Sequence, residues 1–153
     1  SEIYLAINIQ KQGGAFLIKF FDLFNYKTIQ LVYILYMCYR RINIFKPITS
    51  RLSNSEKYIV CDGFLGCNRE IIDEMKKKYE TGGLCIQIPD TFIKEILEYN
   101  DKFTTLQIKT IREIINKSKG DCEINPSKEQ IEKATQWCIK YGLPINTKCI
   151  YNA

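Results

Sequence analysis

The order of apolar and polar segments between residues 15 and 61 constrains the fold more than any other feature. Each segment has the length of one strand or one helix, and turn residues separate them. The predicted elements are a helix at 1–12, a strand at 15–21, a helix at 28–40, a strand at 41–46, a polar loop at 49–55 and a strand at 58–61. This order predicts an α/β fold, the second half of a doubly wound sheet.

The strands themselves indicate how the sheet is built. The strand at 15–21 is apolar at successive positions, which is typical of a sheet covered on both faces. The strands at 41–46 and 58–61 are joined by a loop instead of a helix, and such a connection predicts an antiparallel pair.

The sequence changes character near Gly66 and indicates mainly helices from there on. Helices are predicted at 69–79, from Asp90 to about 99, from Thr104 or Thr105 onward, and from Pro126 at its first turn to 141. Residues 84–88 are either a short strand or an extended link. The predicted division is a sheet-forming part at 1–66 and a helical extension at 67–153.

Composition excludes some kinds of chemistry. The chain has no histidine, which removes the commonest general base and the commonest zinc ligand. A net charge of +5 suits a polyanionic partner without requiring one. Seven cysteines without a CxxC pair indicate free thiols in a reducing compartment. The longest apolar run, at 31–39, is too short to cross a bilayer, so we expect no membrane span.

Lys19 is the first candidate functional residue, because it lies within the apolar strand. It shares a strand face with Leu17 and Phe21. A lysine there can extend its ammonium to the sheet edge as an ordinary surface group. Alternatively, burial and neighbouring cations favour its neutral amine, which can accept a proton. The residues alone leave both interpretations open.

A second group of candidates lies in the polar loop and at the start of the next strand. Glu56 opens that strand, either as a solvated carboxylate or as the group that orients Lys19 across adjacent strand ends. A nearby carboxylate also favours the charged lysine, so other cations would have to outweigh it. Lys46, Ser50 and Arg51 are either a basic surface loop or a phosphate-binding loop at the sheet edge.

Two blocks of sequence carry a resemblance that covers residues 1 to about 64. The first is Gly-Gly-Ala-Phe-Leu-Ile-Lys-Phe-Phe-Asp at 13–22, and the second is Lys-Pro-x-x-Ser-Arg-x-x-Asn-Ser-Glu-Lys-Tyr-Ile-Val-Cys at 46–61. In composition, order and spacing they resemble the FtsJ-like ribose 2′-O-methyltransferases. The likeness is greatest to the mRNA cap-modifying branch, which includes eukaryotic and large DNA virus enzymes.

The resemblance implies a role for each candidate residue. That family uses a Lys-Asp-Lys-Glu tetrad, in which Lys19 corresponds to the second lysine, assigned to deprotonation of the ribose 2′-hydroxyl. Glu56 corresponds to the closing glutamate. The positions that the resemblance places beside the RNA are Lys46, Ser50, Arg51, Asn54 and Ser55.

The resemblance also implies a reaction and its cofactor. The reaction would be transfer of a methyl group from S-adenosylmethionine to the 2′-oxygen, most closely that of capped mRNA, without a metal. The first lysine, the glycine-rich cofactor loop and the tetrad aspartate lie upstream in the family and have no counterpart here. We therefore expect a Rossmann-like C-terminal half with no cofactor-binding residues, inactive by itself.

Several alternatives remain open within this resemblance. The substrate could be ribosomal RNA instead of capped mRNA, although the residues around Ser50 and Glu56 favour the cap. A non-catalytic RNA-binding or scaffold module derived from the family is the third interpretation. Other capping-enzyme domains or subunits are the expected partners. The expected location is intracellular, in the cytoplasm or nucleus, or in a virion or viral factory.

Overall fold

The computed structural model describes residues 2–81, 84, 86–119, 125–146 and 148, and of residues 78–81 only the helical backbone. The helices in this part of the chain are α1 (Glu2–Ile9), α2 (Tyr26–Cys38), α3 (Arg69–Thr81), α4 (Asp90–Ser118) and α5 (Lys128–Lys140). The strands are β1 (Phe16–Phe20), β2 (Tyr39–Phe45) and β3 (Lys57–Phe64). Searched over the same residues, no helix combines the length and apolarity that a bilayer crossing requires.

The three strands form one small antiparallel sheet with β3 in the middle. Its order is β1-β3-β2, and β3 runs antiparallel to both neighbours. The predicted antiparallel pairing of the last two strands is therefore confirmed. Because β1 and β2 run in the same direction, their connection needs a crossover, and α2 supplies it. The register places Lys19 and Phe45 on either side of Tyr58.

The hydrophobic core lies on one face of this sheet. Along β3 the odd-numbered positions from Lys57 to Cys61 are buried and alternate with half-buried ones, the period of a strand. Ile59 and Cys61 are fully buried there and belong to the same core as Ile34 and Leu35 of α2. Cysteines that the structure describes as free thiols are Cys38, Cys61, Cys67 and Cys138.

The opposite face of β1 is exposed, in contrast to the prediction of a sheet covered on both sides. Leu17 is 58% and Phe21 53% exposed, whereas Ile18 is buried. The residues that form the core lie on the Ile18 side. Continuous apolarity in β1 therefore does not correspond to continuous burial within the described residues.

Helix α2 ends earlier than the sequence suggested, so Tyr39 and Arg40 belong to β2. Asn25 begins the helix as its N-cap, where its side chain accepts a hydrogen bond from the Lys27 amide. Tyr39 has extended backbone angles at the C-cap. Its buried ring and its hydroxyl, which donates to Gln10 at 2.9 Å, hold it at the start of the strand.

Helix α4 is one continuous helix, so the predicted break at Thr104 or Thr105 is wrong. Its residues include no glycine and no proline, and threonine without such a breaker does not end a helix. Asn100 is buried at this point and donates a hydrogen bond to the Leu23 carbonyl at 2.8 Å. This contact ties the middle of the helix to the segment that follows β1.

Two further predictions concern the start of the last helix and the link at 84–88. The last helix begins with Ser127 as N-cap, not with Pro126 at its first turn, because Ser127 and Gln130 form a capping box. The described residues among 84–88 have no regular secondary structure. The buried Gln30 side chain donates to the carbonyls of Leu84 and Ile86, which holds this link extended against α2.

The chain divides into two compact units, 1–109 and 110–153. The sequence placed the change of character at Gly66. Residues beyond that point, including Met75 and Phe92, belong to the same core as the sheet. The first compact unit therefore includes helix α3 and most of α4.

Candidate active site

The register of β1 and β3 brings the two predicted catalytic residues together. Lys19 pairs with Tyr58, and Glu56 lies just before the first residue of β3. The Lys19 ammonium nitrogen is 3.4 Å from Oε1 of Glu56. The Lys19 side chain is 45% exposed and that of Glu56 19% exposed. Of the two interpretations of Lys19, the described chain agrees with the exposed ammonium at the sheet edge, and the expected proximity to Glu56 is observed.

Glu56 is held as a carboxylate by several donors. The Tyr58 hydroxyl donates to Oε1 at 2.5 Å, and the Asn54 amide donates to Oε2 at 3.3 Å. The Tyr58 hydrogen bond, followed by those from Lys19 and Asn54, lowers the pKa of Glu56 and outweighs its partial desolvation. The same hydrogen bond raises the pKa of Tyr58, which stays a phenol donor.

The Lys19 ammonium also lies over an aromatic ring. Its nitrogen is 5.0 Å from the ring centroid of Phe21, which directly follows the last residue of β1. The ring and the Glu56 carboxylate limit where the amine can lie, while nearly half of the side chain stays accessible. The Lys19 side chain is therefore partly open to solvent beside the carboxylate.

Lys46 follows β2 and points into the loop that leads to Glu56. Its ammonium donates to the carbonyl oxygens of Asn54 and Glu56 at 2.8 Å each and to Oδ1 of Asn54 at 2.9 Å. Partial burial lowers the pKa of Lys46, although the Glu56 carboxylate acts in the opposite direction. The predicted role of Lys46 as an RNA ligand stays a prediction.

The other predicted RNA-binding residues differ in orientation. Arg51 is exposed, and its guanidinium is available to an anion. The Ser50 hydroxyl is buried and has no hydrogen-bond partner among the described residues. Asn54 is turned toward Glu56, and Ser55 contributes its carbonyl to the Lys57 ammonium. Their predicted contact with RNA remains untested, and Arg51 is the residue best placed for it.

Sequence reasoning missed three residues that support this site. Tyr58 could have been found, because it lies two positions after Glu56 and so shares its strand face. Lys57 is buried, and burial lowers its pKa, while its ammonium donates to the carbonyls of Phe21 and Ser55 at 3.2 Å. Gln107 of α4 donates to the Ser53 carbonyl at 3.1 Å, and no local pattern indicates a contact so distant in the chain.

The comparison with known proteins concerns this same region. The model of a family described as FtsJ-like methyltransferase matches residues 1–64. This segment belongs to the FtsJ-like methyltransferase family. The FtsJ-like segment contains Lys19, Glu56 and the loop between β2 and β3. The proposed resemblance is thereby confirmed at the level of the family.

Several relatives of this chain are named as cap-specific mRNA methyltransferases, and one of these names includes the word "inactive". "Cap-specific mRNA (nucleoside-2'-O-)-methyltransferase 1" of Bos taurus is 31% identical over 94% of this chain and 19% of its own length. The protein of the same name in Danio rerio is 50% identical over 38% of this chain and 7% of its own length. An "Inactive cap-specific mRNA (nucleoside-2'-O-)-methyltransferase 1B" of Caenorhabditis briggsae is 27% identical over 92% of this chain and 18% of its own length. The chain thus spans at most about a fifth of the length of these relatives.

The side chains of the candidate site are not suited to binding S-adenosylmethionine. Its carboxylate, Glu56, is already bonded on both oxygens, so it has little capacity left to bind the hydroxyl or amino groups of the cofactor. No group of three or more cysteine or acidic side chains in the described residues is arranged to hold a metal ion. The arrangement is instead suited to holding an amine beside a hydroxyl or an anion.

Proposed function

We propose that this chain is the part of an RNA ribose 2′-O-methyltransferase that holds the proton-accepting lysine, and that the RNA is the capped end of mRNA. The observation that carries the proposal is the 3.4 Å pair of Lys19 and Glu56 within the FtsJ-like segment. The names of the cap-specific relatives support mRNA over ribosomal RNA as the substrate.

In this proposal the neutral amine form of Lys19 accepts the proton of the ribose 2′-hydroxyl at its Nζ atom and becomes an ammonium while the oxygen is methylated. Glu56 fixes the position of that nitrogen from one side, and Tyr58 fixes Glu56. A ribose hydroxyl is a weak nucleophile, so holding it within reach of the amine contributes much of the rate. The exposed part of Lys19 is where the ribose would approach.

The loop between β2 and β3 would bind the RNA backbone. Arg51 is exposed at its tip, and a guanidinium matches the geometry of a phosphate with two parallel hydrogen bonds. The buried Ser50 hydroxyl has no partner among the described residues, so its donor and acceptor could hold a bound water within the loop.

The methyl donor of this family, S-adenosylmethionine, we place in other parts of a longer protein. This placement is supported by the occupied carboxylate oxygens of Glu56 and by the short share of each relative that the chain spans. Methyl transfer is therefore proposed for the longer protein, together with other capping-enzyme domains or subunits.

A second candidate function is a non-catalytic RNA-binding module. The relative in Caenorhabditis briggsae whose name includes "inactive" favours this candidate. The presence of both Lys19 and Glu56, in contact, favours the enzyme. The two candidates predict the same RNA binding and differ in methyl transfer.

The test is a Lys19→Ala substitution in the longer protein that contains this chain. We expect methyl transfer from S-adenosylmethionine to capped RNA to fall by about 100-fold or more, because the proton acceptor is lost. Affinity for the cofactor should stay nearly unchanged. Incorporation of labelled methyl groups into capped mRNA and into ribosomal RNA is the measurement.

Lys11→Ala is the matched control, since Lys11 is an exposed lysine outside the site. Transfer at the wild-type rate by Lys19→Ala would remove Lys19 from the mechanism. RNA binding by the wild-type protein without any transfer would instead establish the non-catalytic module.

A further inference from the structure

Lys46 makes three hydrogen bonds beside the candidate site. An ammonium has three N–H donors, and those of Lys46 have three acceptors within 2.9 Å. These acceptors are two carbonyl oxygens and one side-chain oxygen from Asn54 and Glu56. With its donors occupied inside the loop, this ammonium has little capacity left for an RNA phosphate.

The acceptors of Lys46 surround the residue that carries the carboxylate. Asn54, which Lys46 binds through two oxygens, also accepts a hydrogen bond from the Glu56 amide at 3.1 Å and donates one to Oε2 of Glu56. Lys46 therefore acts on Glu56 in two ways. It donates directly to the Glu56 carbonyl, and it binds Asn54, which is itself bonded to Glu56. The amide, the carbonyl and the carboxylate of Glu56 all depend on this arrangement.

We propose that Lys46 is a positioning residue, which holds Glu56 in place so that Glu56 in turn holds Lys19 at the reacting hydroxyl. This inference rests on the proposed function and assigns Lys46 a role different from the RNA contact expected from its sequence. Lys46 does not touch the substrate in this scheme.

An arginine substitution separates the two roles of Lys46. A guanidinium keeps the positive charge and binds phosphate at least as well as an ammonium. It is planar and larger, so it cannot direct three hydrogen bonds to the oxygens of Asn54 and Glu56 from one atom. Lys46→Arg therefore preserves an RNA contact and disrupts the positioning of Glu56.

The first experiment measures the loop in this chain without any substrate. In Lys46→Arg we expect the Glu56 amide to exchange its hydrogen faster by about tenfold or more, the effect of losing hydrogen bonds to a charged group. Lys27→Arg, at an exposed lysine of α2, is the matched control and should leave this exchange unchanged. A preserved circular dichroism spectrum and melting temperature show that the variant is folded.

The second experiment measures steady-state kinetics in the longer protein with capped RNA. Lys46→Arg should lower kcat by about 100-fold while KM for RNA stays nearly unchanged, because a small misplacement of a reacting group has an effect of this size. Arg51→Lys should show the converse, with raised KM and nearly unchanged kcat. Lys46→Met should behave like Lys46→Arg.

The outcomes separate this inference from the proposed function. Unchanged Glu56 exchange together with wild-type kcat in Lys46→Arg would overturn the positioning role. Raised KM in Lys46→Met, restored by Lys46→Arg, would overturn it in favour of an RNA ligand. If the wild-type protein transfers no methyl group, the proposed function fails, and the exchange measurement still decides whether Lys46 holds Glu56.

Discussion

Glu56 is the residue on which the site's hydrogen bonds converge. Its carboxylate receives donors from Tyr58, Asn54 and Lys19, and its carbonyl receives the Lys46 ammonium. The strongest influence on its protonation comes from Tyr58, the neighbour on the same strand face. A carboxylate with so many donors is well suited to fix the position of one amine.

The Tyr58→Phe substitution tests this hierarchy. Removing the hydroxyl removes the largest cause of the lowered pKa, so the pKa of Glu56 should rise toward its ordinary value of 4.5. Because the folded-state pKa lies below the unfolded value, the stabilising effect is present above pH 4.5 and is lost as the pH falls through the folded pKa. Titration of the Glu56 carboxyl carbon by NMR is the measurement.

Tyr26→Phe provides the control for this titration, because Tyr26 is exposed at the start of α2. An unchanged Glu56 titration in Tyr58→Phe would show that another donor dominates. The variant should also lose less stability than the wild type when the pH is lowered past the carboxyl titration.

At the scale of elements, helix α4 supports the loop that carries the candidate site. Asn100 binds the segment after β1, the ring of Phe103 lies 5.8 Å from the Lys57 ammonium, and Gln107 binds the Ser53 carbonyl. These three residues are spaced by three and four positions, so they lie along one side of the helix. The helix therefore contacts both chain segments that meet at the Lys19–Glu56 pair.

Gln107→Ala should loosen the loop without unfolding the helix. Alanine is a good helix former, so only the hydrogen bond to the Ser53 carbonyl is lost, with a cost of about 1 kcal/mol. We expect faster hydrogen exchange in the loop at 47–56 and a modest rise in KM for RNA in the longer protein. Hydrogen-exchange mass spectrometry of the loop peptides checks this.

Lys102→Ala, at an exposed position of the same helix, is the control and should not affect the loop. Loop exchange that is equal in both variants would mean that α4 does not support the loop through Gln107.

Elements were predicted well where the sequence has a local cause and less well where tertiary contacts decide. The antiparallel β2–β3 pair followed from a short polar connection. The single helix α4 was missed because two threonines resemble a cap, and the burial of Asn100 that stabilises the helix there depends on a residue 77 positions away. The contact of Gln107 with the loop was unpredictable for the same reason.

In the candidate site too, some features have a cause in the sequence and others depend on tertiary contacts. The closeness of Lys19 and Glu56 was expected through the resemblance that the two sequence blocks carry, whereas the residues alone left it open. The exposure of Lys19 was one of two open alternatives, because apolar neighbours in β1 do not show whether another layer covers that face. The inward orientation of Lys46 depends on loop geometry, which composition does not determine.

At the scale of the whole molecule, one core within the first compact unit connects the sheet with α3 and the first part of α4. Ile59 is fully buried at the centre of the sheet, with Ile18 and Ile44 as its neighbours on the two outer strands. The same core includes Met75 of α3. Unfolding of the first compact unit should therefore be cooperative from the sheet to the first part of α4.

Ile59→Ala tests this central position. We expect a loss of about 2–5 kcal/mol in the free energy of unfolding, since the substitution leaves a cavity between both outer strands. Ile9→Ala, at an isoleucine that is 81% exposed, should change it by less than about 0.5 kcal/mol. Urea denaturation followed by circular dichroism measures both, and equal effects would contradict the assignment of the core.

The pairing of β1 with β3 aligns Lys19 with Tyr58 and leaves Lys57 on the buried side. A slip of one residue would set Lys19 opposite Lys57, repelling amine against amine, and would turn the Tyr58 phenol into the interior. The same slip in register would disrupt both the candidate site around Lys19 and the packing of the core. A misaligned chain should therefore be recognised and degraded as misfolded, and should not persist as a poorly active enzyme.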